Sequence, residues 1–230
     1  MTSGLSTIDY YVSTIESQPG LLAQDKYSES LVLLDSLYFH LDDPLRLPDG
    51  DDASAKASAA AVIDYFERMQ NFEFAQVTKA ALRRQLGLPP NSNLYGCFQG
   101  LFKIHPDFDA TVFEILRLDS NAVVLFMHDP KKPSWTQLLK ARFKQTAEAL
   151  TKEDPKLGAL ALTALSNGRI HFADKLPHTE YIKFMLSVDV HLDPFPFGGG
   201  LTTAELLGLH LPVVTLPGKH RSGRLTTAMY

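Results

Sequence analysis

The chain has 230 residues, which is enough for one large domain or two small ones. Its apolar fraction of 45% and charged fraction of 21% are those of a globular protein with a hydrophobic core. The formal net charge of −4 argues against a nucleic-acid binder driven by phosphate neutralisation, and the single cysteine, Cys97, excludes an internal disulfide and a cysteine-based metal cluster.

Neither a membrane span nor a signal peptide is indicated by the sequence. No apolar run approaches the roughly 20 residues needed to cross a bilayer. The N-terminal sequence MTSGLSTIDYYV lacks a basic region and carries Asp9 early, so it is unlike a secretory signal. We therefore expect a cytoplasmic protein (nuclear or cytoplasmic if eukaryotic), with no membrane and no nucleic acid among its partners.

Residues 1–41 carry two β-like segments and no obvious chemistry. Segment 8–14 is rich in β-branched and aromatic residues, and segment 30–41 contains the runs LVLL and LYFHL. The dipeptide Pro19-Gly20 between them signals a turn. We expect both segments to be edge pieces of a sheet, because two strands are too few to form a domain of their own.

Residues 42–90 predict a linker or insertion with helices. The acidic, proline-containing run DDPLRLPDGDDASAKAS is typical of an exposed loop. The spacing of the apolar residues then predicts helices over 59–69 and 77–85. Gly87 and the Pro89-Pro90 pair end the second of these helices.

From residue 91 onward, strands and helices alternate. Strands are predicted at 94–98, 123–127, 169–172, 188–192 and 213–216. Helices are predicted at 108–117, 135–150, 157–165, 179–187 and 204–209, and a last one begins at 225. This order predicts an α/β fold, a Rossmann-like parallel sheet with helices on both faces.

Ligands of such sheets bind at the carboxyl ends of the strands, so the loops that follow the strands form the candidate site. These loops cover residues 99–107, 173–180, 194–203 and 217–224. The third loop contains Gly198, Gly199 and Gly200, followed by Thr202 and Thr203. Glycines let the backbone approach an anion, the N–H groups of a helix N-terminus bind it, and either threonine could cap that helix. A tight turn that binds nothing is the alternative.

Charged side chains near these loops are candidates for binding a nucleotide. Lys103 is a point charge suited to a diphosphate, or else a solvated surface lysine. Arg221 and Arg224 follow the same logic. Glu205, expected in the first turn of a helix, either accepts hydrogen bonds from ribose hydroxyls or only complements the helix dipole. His178 is the histidine placed on a ligand-edge loop.

The other polar residues favour structural roles. The eight histidines are scattered without a metal-binding spacing, so no metal is expected. Cys97 lies in an apolar strand and is interpreted as a core residue rather than a nucleophile. Asp193 is expected to orient the loop that follows it rather than to act in catalysis.

Four ordered segments resemble one known family: LYGCFQGLFKIHPDFD, GRIHF, DVHLDPFPFGGGLTTAELLGLHLPVVTLPG and RSGRLTTAMY. Together they are similar to the catalytic region of the O-linked N-acetylglucosamine (O-GlcNAc) transferase and SPINDLY family, closest to its bacterial and algal branch. The N-terminal runs SGLSTIDYYV and LVLL resemble the end of that family's first lobe. The resemblance covers residues 1–40 and 80–230, roughly.

The resemblance implies an inverting protein O-glycosyltransferase with two lobes, the GT-B type. It implies that residues 1–41 are a remnant of the first lobe, 42–90 a linker or insertion, and 91–230 the lobe that binds the nucleotide sugar. The implied donor is UDP-N-acetylglucosamine (UDP-GlcNAc), the acceptor is Ser or Thr of a protein, and no metal or other cofactor is required. Because the bulk of the first lobe and the tetratricopeptide repeats are missing and the chain stops inside a predicted helix, we expect a truncated, incomplete catalytic unit.

Motif by motif, the resemblance also implies the site residues. Lys103 matches the lysine that contacts the diphosphate and is the predicted catalytic residue. Glu205 matches the acidic residue on the ribose, and His178 lies in the loop near the base. The predicted nucleotide-sugar-binding residues are Lys103, His178, Gly199, Gly200, Thr202, Thr203 and Glu205. Gly200, Leu201 and Tyr181 depart from the residues of some other members.

Two alternatives stay open at this point. The first is a SPINDLY-like fucosyltransferase, which would use a GDP sugar instead of a UDP sugar. The second belongs to another class of protein: a non-catalytic nucleotide-binding or interaction module, since the sequence lacks a complete two-lobed site.

Overall fold

A computed structural model of the chain describes residues 5–18, 23–35 and 72–230, together with helical positions 53, 56, 57, 60, 63 and 64. Residues 36–41 of the second predicted β segment and most of the predicted helix over 59–69 lie outside these residues. Within the described part of the chain, no helix is both long and apolar enough to cross a membrane.

The N-terminal segment forms a small sheet of its own. Strand β1 (Tyr10–Thr14) pairs in parallel with β2 (Ser30–Leu34), with Tyr10 opposite Ser30. The two strands therefore pair with each other instead of adding edges to the larger sheet. The connection is held by the side chain of Gln24, which accepts a hydrogen bond from Leu31 N (2.8 Å) and donates one to Glu29 O (2.7 Å).

The larger sheet has five parallel strands in the order β5-β4-β3-β6-β7, which confirms the predicted fold class. Strands β3, β4 and β5 advance toward one edge, whereas β6 and β7 lie on the other side of β3. The strand order thus reverses between β3 and β6, and a crevice for ligands is expected there. The strands are β3 (Asn93–Cys97), β4 (Ala122–His128), β5 (Ile170–Asp174), β6 (Val190–Leu192) and β7 (Val213–Val214).

Helices follow the strands as predicted, with shifted ends. Three of them start with proline (106, 133 and 155), whose missing N–H is not needed in the first turn. The helices are α1 (Phe72–Gln85), α2 (Pro106–Leu118), α3 (Pro133–Glu153), α4 (Pro155–Ser166), α5 (His178–Ser187), α6 (Leu201–Gly208) and α7 (Leu225–Met229).

Helices cover both faces of the sheet, because side chains alternate along each strand. In β4, Val124 and Phe126 point into a core built with α2, α3 and α4. Val123 and Leu125 point the opposite way, into a core built with α5 and α6. The continuous apolar run of β4 is therefore explained by burial on both sides.

Helix α1, which falls inside the predicted linker 42–90, packs on α5 and is tied to the sheet through Asp189. This carboxylate receives Arg83 Nη2 at 2.7 Å and the backbone N–H of Leu94 at 2.8 Å. Arg83 is buried and also donates to Ser187 O (2.8 Å). The C-terminal part of the predicted linker is thus anchored to the sheet-forming lobe.

A second buried ion pair joins α2 to α3 and reaches the ligand edge. The carboxylate of Asp109 is fully buried and receives Arg142 Nη2 at 2.7 Å and Nε at 3.0 Å. Arg142 Nη1 also donates to Ile104 O at 2.9 Å, in the loop that follows β3. The helix pair therefore fixes the backbone next to Lys103.

We predict that Asp109→Asn lowers the free energy of unfolding by about 2–4 kcal/mol, because it leaves the Arg142 cation without its buried partner. Urea denaturation provides the measurement. Glu114→Gln is the matched control on the same helix: its ion pair with Arg117 is exposed, so its loss is expected to cost under about 0.5 kcal/mol. Equal effects of the two substitutions would contradict the prediction.

A second prediction concerns His191 on β6, which is fully buried. Burial lowers the pKa of His191 from 6.5 to about 3, and the Gly96 backbone acts in the opposite direction. The unfolded chain therefore binds a proton that the folded chain does not, between pH 6.5 and about 3. The contribution of His191 to the free energy of unfolding should be fully present above pH 6.5. It should fall by about 1.4 kcal/mol per unit of pH below that value. In urea titrations at several pH values, His191→Gln should remove this component; an unchanged slope would refute the assignment.

Candidate functional site

A pocket of about 420 Å³ opens at the carboxyl edge of the sheet, where the strand order reverses. It is bounded by the loop after β3, the end of β4 with the start of α3, the loop into α5, and the start of α6. The lining residues are Phe98, Gln99, Gly100, Leu101, Met127, His128, Asp129, Trp135, Lys175, Leu176, His178, Tyr181, Leu201, Thr202 and Glu205.

Aromatic side chains form much of the pocket wall. Phe98 meets Tyr181 edge-on with ring centroids 6.0 Å apart, and Trp135 meets Phe102 in the same manner at 5.3 Å. Burial raises the pKa of Tyr181, so its phenol stays protonated, and it hydrogen-bonds with the Thr202 side chain. Such walls offer flat apolar surface to a planar ring.

Glu205 and His178 form a polar pair across the pocket. His178 Nε2 lies 2.9 Å from Glu205 Oε1, and Glu205 is the more buried partner, with a side chain 13% exposed against 69% for His178. The expectation that Glu205 complements the helix dipole from the first turn is wrong. Helix α6 begins at Leu201, so Glu205 lies in its second turn and faces the pocket.

The loop 194–200, which we call the glycine loop, is held by Asp193. Asp193 Oδ1 accepts the N–H of Gly199 at 2.6 Å, and Oδ2 accepts the Thr215 hydroxyl at 2.8 Å. The N–H of Gly198 donates to Ser222 O at 2.9 Å. These contacts confirm the orienting role predicted for Asp193.

The two threonines after the glycine loop differ in their surroundings. Thr202 lines the pocket, whereas Thr203 is fully buried, with its Oγ1 3.2 Å from Thr226 Oγ1. The prediction that one of them caps the helix is wrong. Gly200 occupies the N-cap position and no side chain caps it, because the helix starts before both threonines.

Lys103 ends the 3₁₀ turn Leu101–Lys103 and, like Asp193, makes contact with the glycine loop. Its Nζ donates to Gln99 Oε1 (2.9 Å) and to Gly198 O (3.1 Å), and lies 4.6 Å from the centroid of the Phe197 ring. Burial lowers the pKa of Lys103, an effect that the nearby carboxylate of Asp193 opposes. Lys103 and the glycine loop thus adjoin the pocket without being part of its lining.

Gln99 is a pocket residue that was missed from the sequence. It is 4% exposed, lines the pocket, and its Nε2 has no hydrogen-bond partner among the described residues. A methyl group at Gly199 would lie 2.7 Å from this nitrogen, so the amide presses directly against the glycine loop. The only local signal was its position two residues after the end of β3.

Of the predicted residues, the structure therefore brings His178, Thr202 and Glu205 together on the pocket wall. Lys103, Gly199 and Gly200 adjoin them, and Thr203 lies beneath the loop. Cys97 is fully buried, and burial raises the pKa of its thiol to about 12, as expected of a core residue. In the part of the chain that the structure describes, no group of three His, Cys, Asp or Glu side chains is arranged to hold a metal ion.

Comparisons with known proteins agree with the resemblance seen in the motifs, although no family model matches the chain. The probable UDP-N-acetylglucosamine–peptide N-acetylglucosaminyltransferase SEC of Arabidopsis thaliana is 25% identical over 228 residues, covering 99% of this chain and 19% of that protein. A solved structure of a lysine-to-methionine mutant of Thermobaculum terrenum O-GlcNAc transferase is 20% identical and superposes with a TM-score of 0.63, covering 99% of this chain and 34% of the other.

These comparisons confirm the resemblance and the fold. The parallel sheet with helices on both faces is the architecture of the matching part of the bacterial transferase. The chain spans about a fifth of the length of the plant relative.

The packing of the glycine loop yields a prediction. A side chain at Gly199 would collide with Thr203 Oγ1 and with Gln99 Nε2, so Gly199→Ala should lower the free energy of unfolding by about 2 kcal/mol. Gly218→Ala is the matched control, because its new methyl would come no closer than 3.7 Å to another atom, which is an ordinary contact, and it should change stability by less than about 0.5 kcal/mol. Urea denaturation of both variants tests this, and indistinguishable midpoints would show that the loop has room.

Proposed function

We propose that this chain is the nucleotide-sugar-binding lobe of an inverting protein O-glycosyltransferase of the GT-B type, with UDP-GlcNAc as donor and Ser or Thr of a protein as acceptor. One observation carries the proposal: the Lys103 ammonium meets the glycine loop, 3.1 Å from Gly198 O, just before the N-terminus of α6 and beside the pocket of about 420 Å³, which we therefore call the nucleotide pocket. A cation and a free helix N-terminus at one place suit a diphosphate.

The pocket offers matching groups for the rest of a nucleotide. Glu205, already a hydrogen-bond acceptor for His178, is suited to accept from ribose hydroxyls. His178 is mostly exposed and stands at the loop assigned to the base. Thr202 supplies a hydroxyl at the start of α6, while Gly199 and Gly200 let the backbone approach the phosphates. The role of the buried Thr203 is to support the loop from beneath, or to donate to phosphate if the loop opens.

We assign to Lys103 the catalytic role of stabilising the leaving group. When the bond between sugar and diphosphate breaks, negative charge builds up on the leaving phosphate, and a positioned cation stabilises it. Because Lys103 is partly desolvated and already oriented by Gln99 and Gly198, little reorganisation is needed to meet that charge. The proposal requires no metal or other cofactor, since Lys103 and the dipole of α6 supply the positive potential.

The proposal also assigns the remaining parts of the enzyme. Residues 1–41 belong to the end of the first lobe, and residues 42–90 form a linker that ends in α1. A cytoplasmic setting suits an enzyme that uses nucleotide sugars and proteins.

We predict that UDP and UDP-GlcNAc raise the melting temperature of the protein in a thermal-shift panel that also contains GDP and GDP-fucose. Ligands that bind only the folded state stabilise it by mass action. A shift restricted to the GDP ligands would replace the donor assignment with the fucosyltransferase alternative. The absence of any shift would overturn the proposal as a whole.

We further predict that Lys103→Ala weakens UDP binding by about 10- to 100-fold, because a charge-assisted contact to phosphate is lost. Isothermal titration measures the affinity. Lys140→Ala is the matched control. The Lys140 ammonium also lies over an aromatic ring, that of Phe172 (4.9 Å), but Phe172 is on the edge strand β5. Unchanged affinity for Lys103→Ala, or an equal loss for both variants, would refute the role of Lys103.

A further inference from the structure

A second pocket, of about 270 Å³, lies at the opposite end of the glycine loop from the nucleotide pocket. Pro196 and Phe197, at the start of the loop, line this second pocket, whereas Leu201 and Thr202, just after it, line the first. The other walls come from the N-terminal segment and from the loop before α7. The glycine loop thus contributes to the wall of the second pocket, and the residues that directly follow it contribute to the wall of the first.

The charged residues that line this second pocket all carry the same sign. Its basic or potentially basic lining residues are Lys26, Lys219, His220 and Arg221, and no Asp or Glu lines it among the described residues. The nucleotide pocket, by contrast, has Asp129 and Glu205 in its wall. In a chain whose formal net charge is −4, this grouping is a local excess of positive potential. We call it the basic pocket.

Two of these cations, Lys26 and Lys219, are available to a ligand because their side chains are not engaged by other residues in the part of the chain that the structure describes. The side chains of Lys26 and Lys219 have no hydrogen-bond or ion-pair partner among the described residues, and both are exposed. Arg221, in contrast, is part of the framework, since its Nη1 donates to Tyr11 OH at 2.7 Å. The floor is apolar and firm, because Tyr27 is 8% exposed and its hydroxyl accepts from Gln18 Nε2 at 2.7 Å.

The basic pocket also adjoins the centre of the proposed chemistry. Phe197, which lines it, carries the Lys103 ammonium over its ring at 4.6 Å. A ligand in the basic pocket therefore lies within one aromatic side chain of the group assigned to the leaving phosphate. In addition, the donation from Arg224 Nε to Glu16 O at 2.7 Å ties this side of the lobe to the N-terminal segment.

We propose that the basic pocket binds an acidic stretch of the protein acceptor, with Glu or Asp carboxylates next to the residue that is modified. The apolar floor and the two exposed ammonium groups suit a peptide with flanking carboxylates better than they suit a compact, strongly hydrated ion. This inference rests on the proposed function and names the substrate class of that same site.

The test compares two fluorescent peptides of equal length around a central serine, one with Glu and one with Gln at the flanking positions. Fluorescence polarisation should show the Glu peptide binding the wild-type chain about five- to tenfold more tightly, with the difference shrinking as salt is raised. Lys26→Gln/Lys219→Gln should abolish this preference. Lys152→Gln/Lys156→Gln removes the same charge from exposed lysines at the α3–α4 corner and should keep it.

Equal binding of the two peptides to the wild-type chain, or equal losses in both double variants, would overturn the proposal. UDP affinity is measured in parallel. If the Lys26/Lys219 variant loses UDP binding as well, these charges serve the donor phosphates and the acceptor proposal fails. A wild-type chain that prefers the Glu peptide but binds no nucleotide would support an acidic-peptide site while refuting the transferase assignment. The two failures are therefore distinguishable.

Discussion

The carboxylate of Asp193 is the contact on which the ligand edge of this fold depends. It stands directly after β6, at the point where the strand order reverses, and it uses its two oxygens for the glycine loop and for Thr215 after β7. Lys103, in the turn that follows β3, donates a hydrogen bond to Gly198 O in the same loop. Together with the hydrogen bond from Gly198 N to Ser222 O, these two side chains fix a loop that belongs to no helix or strand.

The rest of the lobe holds Asp193 and Lys103 at fixed positions relative to each other. The two apolar cores pack against the two faces of the sheet. The ion pair between Asp109 and Arg142 joins α2 to α3, and Arg142 also donates to Ile104 O, which fixes the backbone there. On the far edge, Asp189 binds α1 through Arg83 and the strand through Leu94. Buried charges therefore occur where elements that are distant in sequence must meet at a fixed distance.

Much of this was predictable from the sequence, because alternation of apolar strands with helices is a local signal and Rossmann-like folds use few topologies. Helix starts were less predictable: α6 begins at Leu201 because Gly200 serves as its N-cap, so threonine chemistry pointed to the wrong residue. Gln99 was missed because its importance lies in contact with Gly199, which is 100 residues away in the chain. The pairing of β1 with β2 likewise depends on contacts that no local pattern reveals.

One pocket is lined by Pro196 and Phe197 of the glycine loop, and the other by Leu201 and Thr202, which directly follow the loop. A ligand that moved this short segment at one pocket would therefore alter the lining of the other. The affinities of the two ligands are then linked, and by reciprocity each alters the binding of the other by the same factor. Binding at each pocket would then depend on whether the other is occupied, and a single loop would connect the two.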